Sequence, residues 1–209
     1  MVEETFLLIL EVIGTMAAAI SGIRLAATKH FDWFGAYTVG AVTAIGGGTM
    51  RDILLDIPVF WMQRGWYLGV TGLALLIVIL FRRTLVRRDK MLLVFDTVGL
   101  ALFAVIGIQK SLAVGYPMWV AAVMGLITGA FGGVLRDILI NDEPLVFRKD
   151  IYATACMAGG ALYWIAMLAG LSPMIQQIAC AVTVITVRML ALRFNWQLPT
   201  LRSDSEETS

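Results

Sequence analysis

The 209-residue chain is 59% hydrophobic and only 15% charged, with a mean hydropathy of +0.84, whereas soluble domains carry about 25% charged residues. That composition excludes an ordinary soluble domain and indicates an integral membrane protein. The formal net charge of +1 carries no information about partners; the distribution of charge does.

The apolar residues fall in blocks. Residues 33–50, 65–81, 111–135 and 151–187 contain no Asp, Glu, Lys or Arg, and the last block is divided at Leu171-Ser172-Pro173. A first helix is expected over residues 5–26. It follows Glu3 and Glu4 with no basic n-region, so it reads as a span and not as a cleaved signal peptide. A second helix is expected over 33–56, with Gly46-Gly47-Gly48-Thr49-Met50-Arg51-Asp52 near its end, and a third over 65–82. The richest basic cluster follows: Arg82, Arg83, Arg87, Arg88 and Lys90. Beyond it, helices are expected over 91–110, 116–140, 151–169 and 173–194. The fifth carries Gly132-Gly133-Val134-Leu135-Arg136-Asp137. Cys156 and Cys180 lie inside apolar spans with no histidine nearby, and read as small core residues rather than a zinc or disulfide site. His30 is a lone loop histidine without an assigned role. The six tryptophans fall mostly near span ends, as interface anchors do.

Positive loops stay in the cytoplasm. Placing the cluster at 82–90 inside also places Arg24, Lys29, Arg148, Lys149, Arg193 and Arg202 inside. The N-terminus is then expected outside and the C-terminus in the cytoplasm, in the cell (inner) membrane. The basic cluster is a topology signal that could also hold anionic lipid head groups.

Arg51 and Arg136 lie 85 positions apart (136 − 51). The same offset pairs Gly14 with Gly99, Gly22 with Gly107, Gly40 with Gly125, Gly47 with Gly132 and Gly48 with Gly133. It also pairs Glu11 with Asp96, Asp52 with Asp137, Asp56 with Asn141 and Tyr67 with Tyr152. Helices one to three and four to six therefore read as copies. An odd number of spans per copy makes their topologies inverted. The fold expected is an all-α integral membrane protein of seven transmembrane helices: two inverted three-helix repeats plus a seventh helix. Residues 1–90 form the first repeat with its basic cytoplasmic loop, 91–170 the second, 171–195 the seventh helix, and 196–209 a polar C-terminal tail.

Glycine costs roughly 1 kcal/mol relative to alanine in a helix, so breaks are expected at 46–48 and, more mildly, at 132–133. A broken helix presents bare carbonyls that suit a monovalent cation and N–H groups that suit a carboxylate. K+ or Na+ would then sit at the backbone carbonyls of Gly46, Gly47 and Phe131. Asp52 and Asp56 lie four apart, on one helix face. The competing structural reading is that the glycines let helices pack closely. Glu11 and Asp96, each within about two turns of a helix start, read as capping or snorkelling residues.

With the two glycine-arginine motifs and the inverted repeat in place, the chain resembles the prokaryotic trimeric intracellular cation (TRIC) channels over nearly all of residues 5–194. The resemblance implies a homotrimer with an hourglass pore in each protomer, lined by helices two and five and conducting potassium and other monovalent cations. It places Gly46, Gly47, Gly48, Thr49 and Arg51, with Gly132, Gly133 and Arg136, on the ion pathway, beside Asp52, Thr128 and Asp137. Phe131 stands where the first motif has Gly46. The alternative is a secondary transporter of glycine or another small neutral amino acid, whose carboxylate an arginine would hold. An intramembrane aspartyl protease using Asp52 and Asp137 is disfavoured, because each aspartate has an arginine beside it. No enzyme activity, cofactor, transition metal or nucleic-acid partner is expected; the expected partners are membrane lipids and the transported cations.

Overall fold

The computed structural model describes residues 2–86, 89–148 and 151–199, and the elements among them are helical. Seven helices of fifteen residues or more are present among the described residues: α1 (Val2–Thr28), α2 (Trp33–Leu54), α3 (Trp66–Leu80), α4 (Asp89–Ala113), α5 (Met118–Leu139), α6 (Ala153–Leu168) and α7 (Pro173–Phe194). They occupy the stretches expected from the sequence, with ends that differ by a few residues. Short helical turns at Phe60–Gln63, Arg82–Leu85 and Leu145–Phe147 lie in the connections. Arg87, Arg88, Lys149 and the tail from residue 200 lie outside the described residues.

Length and composition let α1, α4, α5 and α7 cross a bilayer. The shorter α3 and α6 have 15 and 16 residues, so each is about 23 Å long. α2 has the length of a span, but its glycines, threonines and Arg51-Asp52 pair lower its hydropathy.

Local signals set the helix ends. The Asp32 carboxylate accepts the Gly35 N–H at 2.6 Å and starts α2. Pro173 opens α7, where its missing N–H costs nothing. α2 and α5 end alike: Asp56 (φ 54°) and Asn141 (φ 58°) adopt the left-handed conformation just past each helix. The next residues, Ile57 and Asp142, donate back to the Asp52 and Asp137 carbonyls. This is a Schellman-type stop, and Asn and Asp tolerate it better than most side chains. Asp56 therefore lies beyond α2 rather than on a helix face with Asp52, which corrects the sequence expectation.

The expected glycine breaks are absent. α2 runs through Gly46–Gly48 and α5 through Gly132–Gly133 without interruption. The carbonyls of Gly46, Gly47 and Phe131 stay within helical ladders, so the cation site expected at them loses its basis. The glycines serve contact instead. A β-carbon on Gly47 would collide with the Thr128 carbonyl, and one on Gly132 with the Thr43 carbonyl. The intimate packing of two backbones offsets the intrinsic cost of glycine in a helix.

These contacts also give the topology. Along α2 and α5, position 43 meets 132 and position 47 meets 128, so the helices run antiparallel. Along α1 and α4, Gly14 faces Phe103 while Gly99 faces Ala18, again antiparallel. Both pairings map onto themselves when 85 is added to one partner and subtracted from the other. The two repeats are thus related by a pseudo-two-fold axis, with inverted topology. Within each repeat the packing recurs: Gly22 meets Thr43 and Gly40 meets Ile23, as Gly107 meets Thr128 and Gly125 meets Ile108. One apolar cluster forms around α1–α3 and a second around α4–α7. α7 packs on α6 and α4, outside the repeat.

The glycine contacts give a direct test. Gly47→Ala drives a methyl group into backbone and is expected to destabilise by about 1–3 kcal/mol or more. Gly69→Ala in α3, where a β-carbon meets nothing within 4 Å, should be neutral or stabilise by up to about 1 kcal/mol. Thermal unfolding in one detergent compares the two. Equal effects would refute close packing at the crossing.

Candidate functional site

The α2–α5 crossing separates two buried clusters of charge, one around each motif arginine. Arg51 is 1% exposed and Arg136 is 0% exposed. A buried arginine is sustainable only when paired and hydrogen-bonded, and both are. Arg51 donates from Nε and Nη2 to Asp52 Oδ1 at 2.8 and 2.6 Å. The second oxygen, Asp52 Oδ2, accepts the Phe60 N–H at 2.9 Å. Arg136 Nε donates to Asp137 Oδ1 at 2.8 Å, and Asp137 Oδ2 accepts the Leu145 N–H at 3.1 Å. Leu145 stands 85 positions after Phe60, so each aspartate performs the same two tasks. It neutralises the preceding arginine and fastens the chain that follows the helix.

The clusters differ in what surrounds this shared unit. On the Arg51 side, Lys110 of α4 reaches Glu11 of α1 with 3.3 Å between Nζ and Oε1. Tyr67 donates its hydroxyl to Glu11 Oε2 at 2.7 Å. The Phe60 ring carries the Arg51 guanidinium 5.6 Å and the Lys110 ammonium 5.1 Å from its centroid, within cation–π range. A cavity of about 550 Å³ opens here, lined by Glu11, Asp52, Phe60, Arg64, Tyr67 and Lys110 among others. It adjoins a much smaller one, of about 10 Å³, that reaches Gly48, Arg51, Phe103 and Thr128 at the crossing. The two share Glu11, Phe60, Tyr67 and Lys110, so the path narrows inward from a polar vestibule.

The Arg136 side is buried: Arg136, Asp96, Ser21 and Asp137 are each 5% exposed or less. Arg136 Nη1 donates to Asp96 Oδ1 at 2.5 Å and to Ser21 Oγ at 2.6 Å, tying α5 to α4 and α1. Arg188 of α7 lies over the Tyr152 ring at 4.8 Å and donates from Nη1 to the Ile151 carbonyl at 2.8 Å. The seventh helix thereby braces the start of α6 beside this cluster.

The expected pathway residues divide by helix face. Gly48, Arg51, Asp52 and Thr128 line the vestibule or its narrow end. Gly47 and Gly132 form the crossing. Gly133 lies against Tyr152 and the Asp96–Arg136 pair, close to Asp137. Gly46 and Thr49 face elsewhere, onto an apolar groove of about 260 Å³ with Phe131 and Trp61. That geometry removes them from the vestibule, because three residues along a helix return to one face. Thr49 Oγ1 donates to the Ile45 carbonyl and accepts from Trp61 Nε1. Glu11 and Asp96 are not end caps: they are the second carboxylates of the two clusters, 8% and 5% exposed. Their pairing at the 85-residue offset, beside that of Tyr67 with Tyr152, was the signal for it. Phe60 and Lys110 have no such signal. Phe60 lies in a short turn, and Lys110 has no charged counterpart at position 25.

Asp52 and Asp137 lie on opposite sides of the crossing, each about seven residues along its helix. The separation is roughly 20 Å, so they cannot form a catalytic dyad.

Comparison with known proteins agrees with this geometry. A family model described as glycine transporter matches twice, over residues 8–83 and 93–168. The two matches are displaced by the repeat offset itself. The UPF0126 membrane protein of Vibrio cholerae serotype O1 is 37% identical over 204 residues, 95% of this chain and 84% of that one. The UPF0126 inner membrane protein YadS of Escherichia coli (strain K12) is 39% identical over 198 residues, 93% of this chain and 96% of that one. Among solved structures, the TRIC trimeric intracellular cation channel orthologue from Rhodobacter sphaeroides superposes with a TM-score of 0.87 at 32% identity, covering 91% of this chain and 99% of that one.

The clusters predict a sharp contrast between two nearby aspartates. Asp52→Asn leaves the Arg51 charge buried and is expected to cost about 3–5 kcal/mol. Asp56→Gly, at a left-handed position, should be neutral or slightly stabilising. Denaturant or thermal unfolding of both variants checks this, and comparable losses would contradict the assignment.

Proposed function

The chain belongs to the prokaryotic trimeric intracellular cation (TRIC) channel family, and from that premise we propose that it conducts monovalent cations, potassium among them, through each protomer of a homotrimer. The observation that carries this reading is the pair of neutralised arginine clusters on either side of one tight helix crossing. Arginines beside a path repel cations unless their charge is met. Here Arg51 is met by Asp52 and Arg136 by Asp137 and Asp96. The four ionic side chains of the Arg51 cluster, Glu11, Arg51, Asp52 and Lys110, sum to zero in their ordinary charge states.

In this reading a cation enters the vestibule at Glu11 and Asp52 and meets the constriction at Gly48, Phe103 and Thr128. It leaves past Arg136, Asp96 and Ser21 once that side opens. The two ends are the halves of an hourglass generated by the pseudo-two-fold axis. The Arg136–Asp96–Ser21 bonds hold the gate shut, and the Arg51 vestibule faces outside, as the loop charges require. The relatives' membrane labels support a membrane location, and the loop charges alone carry the orientation, with the N-terminus external and the C-terminus cytoplasmic.

A second reading has its own observation. The vestibule sets carboxylates, Glu11 and Asp52, against cations, Arg64 and Lys110, and a zwitterion such as glycine needs both. Paired potassium and glycine fluxes in one set of proteoliposomes separate the two. For the channel, wild type passes potassium without concentrating glycine, and Arg136→Met passes at least as much, because a closing bond and a positive barrier are lost. For a transporter, removing an arginine that holds the substrate carboxylate forfeits about 1.5–3 kcal/mol and weakens uptake on the order of tenfold or more. Glycine uptake abolished in Arg64→Met, which removes the vestibule arginine, with no potassium flux in any protein, would overturn the channel reading.

A further inference from the structure

We infer that the groove between the ends of α1, α2 and α3 is a binding site for one anionic phospholipid, distinct from the ion path. The inference rests on the reading of this chain as a membrane protein and not on what the path conducts.

The groove has a volume of about 360 Å³, within the range of small-molecule sites. Ile23 and Ala27 of α1, Ala36 of α2, and Leu75, Val78 and Ile79 of α3 line it. Ala27 and Ala36 are the small side chains that leave the space. At its mouth stand His30, Phe31, Trp33 and Arg82. The walls suit an acyl chain, and the mouth suits a phosphodiester.

Three further observations favour a lipid. First, the lining contains no carboxylate among the described residues, so none of them cancels the Arg82 charge within the groove. The nearby cation Lys29 is already taken, 2.7 Å from Asp142. Arg24 is buried behind the groove, where its Nε donates to the Leu85 carbonyl at 2.6 Å. That bond fixes the turn Arg82–Leu85 and with it the position of Arg82. Second, the mouth lies at interfacial depth. Trp33 and Phe34, at the first turn of α2, are 73% and 79% exposed, as side chains of an aromatic belt are. Head groups reside at that level. Third, Arg82 begins the run that continues with Arg83, Arg87, Arg88 and Lys90, and such clusters beside a span attract anionic lipid. The groove turns a diffuse attraction into a site: Arg82 belongs to both.

Native mass spectrometry of the full-length protein in detergent, titrated with dioleoyl phosphatidylglycerol or dioleoyl phosphatidylcholine, tests this. Wild type should retain the anionic lipid in preference. Arg82→Gln should weaken phosphatidylglycerol about fivefold, the equivalent of about 1 kcal/mol for one basic residue, and leave phosphatidylcholine unchanged. Ala27→Leu, which fills the groove, should weaken both lipids. Arg83→Gln, outside the lining, should keep the preference. An equal loss in Arg83→Gln and Arg82→Gln would reduce the effect to diffuse loop charge and overturn the site. So would competition by glycerol phosphate as effective as by the whole lipid, since the walls would then be idle. Loss of oligomers in Ala27→Leu with lipid binding intact would assign the groove to a second copy of the chain. Each readout is binding or assembly, so a failed flux experiment leaves this test standing.

Discussion

The closest constraint in the molecule is backbone against backbone, where α2 and α5 cross at Gly47 and Gly132. Each glycine abuts a carbonyl of the other helix, Thr128 and Thr43, and neither position has room for a single added carbon. This reciprocal contact fixes the crossing, the antiparallel sense of the pair, and the position of the two-fold axis. The arginines follow from it. Each lies four residues beyond its crossing glycine, about one helical turn, so the two clusters must appear on opposite sides at equal distance. Small residues are what allow helices to approach this closely in a bilayer, where no hydrophobic force drives them together.

Buried charge is the second requirement and accounts for the rest of the local architecture. An aspartate next to an arginine in sequence lies about 100° round the helix, so the long arginine side chain bends across to one carboxylate oxygen, and the other oxygen takes a backbone N–H eight residues on. That bond makes the connecting segment part of the site. Phe60 thereby enters the vestibule on one side and Leu145 closes the other. Symmetry then gives way to function. Lys110 and the aromatic side chains Phe60 and Tyr67 surround an open vestibule. Asp96, Ser21 and, through Tyr152 and Ile151, Arg188 brace the buried Arg136 on the opposite side. α7 has no counterpart in the repeat, so it can serve one half only.

Much of this was legible in the sequence because repetition is periodic information. The 85-residue offset exposed the copies, the odd span count gave their inversion, and charge-free blocks located the helices. It also marked Glu11 with Asp96 as equivalents, although position near a helix start suggested caps. The glycines misled for a specific reason. Helix propensity treats each as a local cost of about 1 kcal/mol, and three in a row suggest a break. What outweighs that cost is a backbone contact with the distant second repeat, Gly47 against Thr128 and Gly132 against Thr43, which no local rule contains. The same holds for Phe60 and Lys110: their roles depend on which loop a carboxylate fastens and which helix faces the vestibule. Asp56 shows the opposite case, since a turn residue at a helix end carries its own signal, while its four-residue spacing from Asp52 was read as a shared helix face instead.

The central claim is that conduction passes the α2–α5 crossing, where Thr128 marks the narrow end of the vestibule. The most direct measurement is the single-channel potassium current of Thr128→Cys before and after a small cationic methanethiosulfonate reagent. The native Cys156 and Cys180 are buried and lie outside the lining of the vestibule and its narrow end, so wild type serves as the control. The account predicts that modification abolishes or sharply reduces the current in Thr128→Cys and leaves wild type unchanged. Complete modification, verified by mass, with the current undiminished would contradict it.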